Sequence, residues 1–278
     1  MHSSTLKTYF ERLLVVIVFI VVLGPIFWCV TLSLQGSREV NSAYALLIPS
    51  RLHLENYWTV LTNARWINGF ASSLRISLLS TALNLILSAP VGFALARVRF
   101  PGQQFIRRLI LTFLFVPVIL LMVPIRQMFV SLGLQNTAWS TALPMAVSVF
   151  SPLIFCQFYS QFPQEIDDCA ALSGLGPIRS FVRIYLPVSG KAILYTTTLQ
   201  FISTWNCAFV PMFMHHGGSS SVTIQEALLQ YAMNPSRIFL AMAAVFLACL
   251  PCWLLTVIEF RCKLQLRLDL TDPYHSPE

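Results

Sequence analysis

Six apolar runs, at residues 13–34, 76–95, 109–130, 138–158, 192–214 and 238–260, occupy nearly half of this 278-residue chain. Each is long enough for a helix to cross a hydrocarbon core, which takes about 20 residues. Backbone N–H and C=O groups left unpaired in lipid are so costly that a spanning segment must satisfy them internally, and runs of this length do so as helices. The fold class expected is all-α: a polytopic membrane protein with six transmembrane helices, forming one membrane domain over residues 1–278. Composition points the same way, since 56% hydrophobic residues, 10% charged residues and a mean hydropathy of +0.70 exclude an ordinary water-soluble surface.

The charges orient the spans. Twelve of the 18 Lys and Arg fall on the side that holds both termini and the links after the second and fourth runs, while only Arg38, Arg51 and Arg65 fall on the other. The positive-inside bias therefore puts both termini in the cytoplasm of a multi-pass cell (inner) membrane protein. The net charge of +7 is explained by these short basic loops and does not call for a nucleic-acid partner. Lys7 and Arg12 precede the first run as they would a signal peptide, but its 22 residues exceed the about 7 to 15 of a signal core, so it is expected to remain as the first span. Seven Cys, an odd set lying mostly in apolar runs, read as small buried hydrophobes and not as a disulfide framework. Proline falls in or beside every run (Pro25, Pro90, Pro117, Pro124, Pro144, Pro152, Pro211 and Pro251), where it serves either as a packing kink or as a hinge.

Between the fourth and fifth runs lies a polar stretch, PQEIDDCAALSGLGPIRSFVRIYLP, at residues 163–187. Glu165, Asp167 and Asp168 suit the positive end of a short helix, and Gly174 and Gly176 break it. Pro177 suits the first turn of a second helix over 178–185, on which Ile178, Phe181, Val182 and Tyr185 share a face. That apolar face packs either on the chain's own span ends or in a groove of a partner. Elsewhere, residues 35–67 are expected to form a short helix and loop on the outer side, and the Pro101–Gly102 pair a tight reversal between the second and third spans.

The stretch resembles the cytoplasmic EAA loop of permease subunits in binding-protein-dependent ABC importers. Asp168, Cys169 and Ala170 stand at the EAA triplet, Gly174 at the glycine that follows it, and Ile184, Leu186 and Pro187 at the Ile-x-Leu-Pro ending. Asn56-Tyr57-Trp58, Ala94-Leu95-Ala96-Arg97 with Phe100-Pro101-Gly102, Leu132-Gly133-Leu134 with Asn136-Thr137, Trp205-Asn206 and Pro251 are similar to the sugar-importer branch that contains the maltose-type permeases. The chain departs from the family in having Asp168 for Glu, Cys169 for Ala, and Ser173 for a common Asp. The resemblance implies an ATPase-coupling interface at Asp168, Cys169, Ala170, Gly174, Ile178, Phe181, Val182 and Tyr185. It also implies the partners: a second permease chain, two copies of an ABC ATPase that bind ATP and Mg, and an extracytoplasmic solute-binding protein. A carbohydrate or sugar-like solute is the implied cargo.

The chain shows no phosphate loop of its own: the one Gly-Lys pair, Gly190-Lys191, is followed by Ala192 and lacks the upstream glycine. It is therefore expected to be no enzyme and to bind no cofactor. Cys249-Leu250-Pro251-Cys252 lies inside a span without a redox context, and the adjacent His215 and His216 do not share a helix face, so neither is expected to hold a metal. An intramembrane enzyme would need carboxylates or His within the spans, where Glu259 stands alone at an end. For the substrate path, Arg126 is the most interior charge and either lines the path or snorkels to the interface. Trp205 and Asn206 offer a stacking face and an amide for a sugar, or else a packing ring and an interhelical hydrogen bond.

Overall fold

All of the regular structure among the described residues is helical in the computed structural model of the chain, which describes residues 2–40, 49–215 and 222–271. Three helices are long and apolar enough to cross a bilayer: Glu11–Ser33 within the first helix His2–Ser33, Ala64–Arg97, and Ile238–Cys262 within the last helix Ile238–Thr271. Two bent pairs raise the number to five if each is one span. Gln103–Phe115 meets Val118–Ser131 at 100°, and Ala138–Ala146 meets Phe150–Tyr159 at 46°. The run at 192–214 divides into Gly190–Asn206 and Phe209–Met214. Six uninterrupted helices are thus not what these residues form.

The breaks follow proline chemistry. Val116, just before Pro117, is extended at ψ 114°, because the pyrrolidine ring excludes its neighbour from the helical region. The breaks at Val147–Ser148 and at Cys207 each lie about four residues ahead of a proline, Pro152 and Pro211, whose missing N–H would have bonded there. Pro25, Pro90, Pro124, Pro144 and Pro251 remain inside continuous helices.

The described chain groups into two compact units, Met1–Asn68 with Glu226–Leu250, and Gly69–Gln225 with Pro251–Glu278. In the first, the short helix expected between the first two runs is Glu55–Leu61. Its Asn56 amide donates to the carbonyls of Ser33 (2.9 Å) and Gln35 (3.0 Å), and the Tyr57 hydroxyl lies 2.6 Å from that of Ser33. The two amide hydrogen bonds satisfy the carbonyl of Ser33, the last residue of the first helix, and that of Gln35 just beyond it, a task that backbone alone leaves undone at a helix terminus. Residues 13–23 expose apolar side chains all round, the pattern of a surface offered to lipid.

In the second unit, Ala64–Arg97 and Phe150–Tyr159 approach so closely at Gly92 that a Cβ there would lie 2.8 Å from the backbone atoms Cys156 N and Pro152 O. This contact anchors a core of Ala89, Phe93, Phe155, Tyr159, Tyr185 and Ala192, with Phe158, Phe162, Phe181 and Ile184 packed around it. Phe93 has its ring centroid 5.0 Å from Tyr185, 5.2 Å from Phe181 and 5.9 Å from Tyr159. Each such aromatic pair adds about 0.5–1.5 kcal/mol beyond area burial.

Candidate functional site

The polar stretch folds as an elbow. Its first arm is Glu165–Leu172, with Glu165, Asp167 and Asp168 in the first turn, where carboxylates complement the helix dipole. It ends in a Schellman motif: Gly174 adopts φ +70°, its N–H bonds Ala171 O at 2.9 Å, and Leu175 N–H bonds Ala170 O at 2.9 Å. The second arm starts with Pro177 in its first turn and runs as Pro177–Ser180, a π-helical turn Phe181–Tyr185, and Leu186–Val188. This arm therefore passes through Pro187, where the sequence suggested an end. The wider π turn accommodates the ring of Pro187, which in α geometry would press on the carbonyl of Arg183.

The four apolar residues assigned to one face divide. Tyr185 is 0% exposed and Phe181 half-buried in the aromatic core, whereas Ile178 is 81% and Val182 52% exposed. Leu172, at the tip of the first arm, is 90% exposed. Between the arms lies an open hollow of about 330 Å³ lined by Glu165, Ile166, Cys169, Ala170, Ser173, Leu175 and Ile184. Asp168 and Cys169 are exposed, while Ala170 is buried.

Arg97, the last residue of Ala64–Arg97, ties the elbow down. Its Nη1 donates to Phe162 O (3.0 Å), its Nη2 to Pro163 O (2.9 Å), and its Nε to the Tyr185 hydroxyl (3.1 Å). Nη2 also lies 2.7 Å from Asp167 Oδ2, and Tyr185 O–H donates to Asp167 Oδ1 at 2.6 Å. One guanidinium thus joins the end of a long helix, the entry to the elbow and both of its arms. Burial, then the hydrogen bond to the Asp167 carboxylate, pushes the Tyr185 phenol up to about 12 from 10.0, so it stays a neutral donor. At the root of the second arm, Ser189 Oγ bonds both the Tyr159 hydroxyl (2.8 Å) and Tyr185 O. Arg97 and Asp167 were not among the candidate residues read from sequence. Arg97 counted there as a topology charge, and its closing of the Ala-Leu-Ala-Arg run was the only pointer.

Residues 88–262 match the family described as the binding-protein-dependent transport system inner membrane component. The chain belongs to that family. This permease is 32% identical over 191 residues, 68% of either chain, to the arabinooligosaccharides transport system permease protein AraQ of Halalkalibacterium halodurans. It is 27% identical over 190 residues, 66% of either chain, to the trehalose transport system permease protein SugB of Mycobacterium tuberculosis. Its fold is that of a chain in the crystal structure of a bacterial ABC transporter involved in import of the acidic polysaccharide alginate, with TM-score 0.82 at 17% identity over 94% of this chain and 98% of that one. The elbow lies wholly within the family match.

The residues considered for a substrate path do not converge on one site. Trp205 of the permease is 2% exposed, stacked on Phe201 (5.6 Å) and edge-on to Phe70 (5.2 Å), with its carbonyl accepting from Gln225. Its ring is committed to packing and presents no open stacking face. Asn206 is exposed at the end of Gly190–Asn206. Arg126 sits 5.5 Å from the Phe213 ring centroid and lines a separate hollow with Val123, Gln127, Val130 and Ser131. His215 is buried against Thr141 Oγ1 at 3.0 Å, and His216 lies outside the described residues. Among the described residues, no three His, Cys, Asp or Glu side chains cluster as metal ligands would.

Proposed function

We propose that this permease carries a carbohydrate or sugar-like solute into the cytoplasm, driven by ATP hydrolysed in a separate subunit. Its expected assembly contains a second permease chain, two ATPase copies that hold ATP and Mg, and an extracytoplasmic solute-binding protein. The chain then forms a single membrane domain with six spans, those at 109–130, 138–158 and 192–214 being broken, and both termini in the cytoplasm. The carbohydrate cargo is inferred from relatives named for arabinooligosaccharides and trehalose.

The observation that carries the coupling half of this reading is the contrast across the elbow. Its base is fixed through Arg97, Asp167 and Tyr185, while Leu172, Ile178 and Val182 stand exposed beside Asp168 and the hollow at Cys169. An apolar ridge held on a rigid support and flanked by a carboxylate fits a groove in a partner with a cationic rim. In this proposal Leu172, Ile178, Val182, Asp168 and Cys169 touch the ATPase, Ala170 and Gly174 set the turn, and Phe181 and Tyr185 are the anchor. When the ATPase dimer closes on ATP it pulls the elbow, and the clamp passes the motion to the helix ending at Arg97. Arg126 and Asn206 remain the proposed polar contacts for cargo, with Trp205 as the packing that positions Asn206.

The test is reconstitution with the ATPase, second permease and binding protein in vesicles. Oligosaccharide uptake is expected only with ATP inside the compartment that exposes the elbow. Uptake that proceeds without ATP contradicts the reading and makes the chain a channel.

A further inference from the structure

The interior of the second unit carries a polar ladder that the elbow does not use. Ser80, Asn84 and Ser88 recur at one-turn intervals on Ala64–Arg97, and Thr196, Gln200 and Thr204 do so on Gly190–Asn206. All six are buried. The two helices run antiparallel, since Ser80 meets Thr204 while Ala89 shares a core cluster with Ala192. That register sets Ser80 level with Thr204, Asn84 with Gln200, and Ser88 with Thr196.

The two amides at the centre do a specific job. Gln200 Nε2 donates to Met145 O at 2.7 Å and lies 3.2 Å from both Ser80 Oγ and Thr204 Oγ1, and Asn84 Nδ2 donates to Ala146 O at 2.7 Å. Met145 and Ala146 end the helix Ala138–Ala146, at the 46° break before Phe150–Tyr159. Their carbonyls have lost helical partners, and non-helical backbone at membrane depth survives only where protein groups re-satisfy it. One amide from each neighbouring helix supplies that.

The same seam holds unused bonding capacity. Asn84 Oδ1, Ser77 Oγ, Thr81 Oγ1 and Thr196 Oγ1 are buried without a hydrogen-bond partner. Buried polar atoms left unpaired are destabilising, and a second register would bring Asn84 Oδ1 and Thr196 Oγ1, which lack partners in this one, level with each other. Both stripes repeat every turn, and a slide of one turn, about 5.4 Å, again sets polar against polar. In one sense Ser80 meets Gln200 and Asn84 meets Thr196. In the other Asn84 meets Thr204 and Ser88 meets Gln200.

We propose that this ladder is the sliding joint of the transport cycle, with Gln200 and Asn84 as positioning residues that together latch the broken span in the present register, one of the two amides leaving its carbonyl when the helices slide. The proposal rests on the coupling reading above, because the motion is driven from the elbow. A slide exchanges one set of polar partners for another and keeps polar groups opposed in both states, whereas an interdigitated apolar seam would favour a single register.

The test is disulfide mapping by mass spectrometry in the assembled importer in lipid, without nucleotide and with a non-hydrolysable ATP analogue. Ser80→Cys with Thr204→Cys, whose hydroxyls lie 3.3 Å apart, should bond without nucleotide and lose yield at least about fivefold with the analogue, the low end of the coupling between two linked sites. Either Ser77→Cys with Thr204→Cys, or Thr81→Cys with the native Cys207, should gain by the same factor according to the sense of the slide. A first bond indifferent to nucleotide overturns the proposal. So does its loss without either gain, which means the helices part and do not slide. Cross-linking of Cys169 to the ATPase in the same samples separates the two readings: if it also ignores nucleotide, the coupling reading fails, and if it responds while the seam does not, only the ladder fails. Gln200→Leu should lower solute carried per ATP about tenfold, equivalent to 1.4 kcal/mol, with ATPase assembly unchanged; undiminished solute per ATP also overturns the latch.

Discussion

Removing the Arg97 side chain should undock the elbow without unfolding the permease. Arg97 is 10% and Asp167 32% exposed at the side chain. Breaking a fully buried pair by deleting one partner costs about 3–5 kcal/mol, and the partial exposure of Asp167 argues for the lower end, about 3 kcal/mol. Two carbonyls and a phenol lose a charged donor at the same time. At 1.4 kcal/mol per decade, the docked-to-undocked ratio of residues 163–188 then falls about 150-fold. Hydrogen exchange of that segment in Arg97→Ala should quicken by this order while the segment at 76–90 stays protected. In vesicles, ATP turnover should continue while solute moved per ATP drops. Arg97→Lys should restore part of the loss, because an ammonium keeps the charge opposite Asp167 but lacks the fork that reaches two carbonyls and the phenol. If Arg97→Ala leaves both exchange and coupling within about twofold of the parent, the clamp is not what transmits the motion.

Other outcomes follow from the same geometry. Ile178→Asp and Val182→Asp should leave thermal stability nearly unchanged, since both side chains are exposed, yet abolish co-purification of the ATPase. Gly92→Ala should cost about 1–3 kcal/mol of overpacking and so lower the melting temperature in detergent, because the atoms it meets, Phe155 Cβ and the backbone Cys156 N and Pro152 O, have no rotamer freedom with which to give way. Gly174→Ala has open space around it and should cost about 1 kcal/mol through its φ alone. Burial and the Asp167 hydrogen bond raise the Tyr185 phenol to about 12, so its contribution is fully present below pH 10.0 and is lost as pH rises through about 12. Tyrosinate absorbance of the parent minus Tyr185→Phe should therefore show no ionisation near pH 10.0, and ionisation there would contradict the buried phenol.

The apolar runs made the helical class and the approximate span positions legible, because lipid leaves the backbone few alternatives. The elbow was legible for local reasons as well: acidic first turn, Gly174, Pro177. Its division into inward Tyr185 and outward Ile178 was not, since helical spacing shows which residues share a face and not which part of that face meets the core. The π turn rotates the residues after Phe181, a change that period counting does not see. Nor could spacing show that Arg97, so far from Tyr185 and Asp167 in sequence, closes on both. Breaks at Val147 and Cys207 were hidden for a similar reason: proline was visible, but whether a neighbour such as Asn84 or Gln200 holds the freed carbonyls is a tertiary fact.

The exposed side of the elbow is the face proposed to dock on the ATPase. Cys169 is a native, exposed thiol on the hollow beside Asp168, and it avoids placing a side chain at Gly174, whose positive φ would strain any other residue. A bifunctional thiol reagent applied to the assembled importer should join Cys169 to the ATPase subunit with a yield that changes between the nucleotide-free and ATP-bound states, and Val182→Asp should abolish the product. No Cys169 product with the ATPase in any nucleotide state would contradict the account.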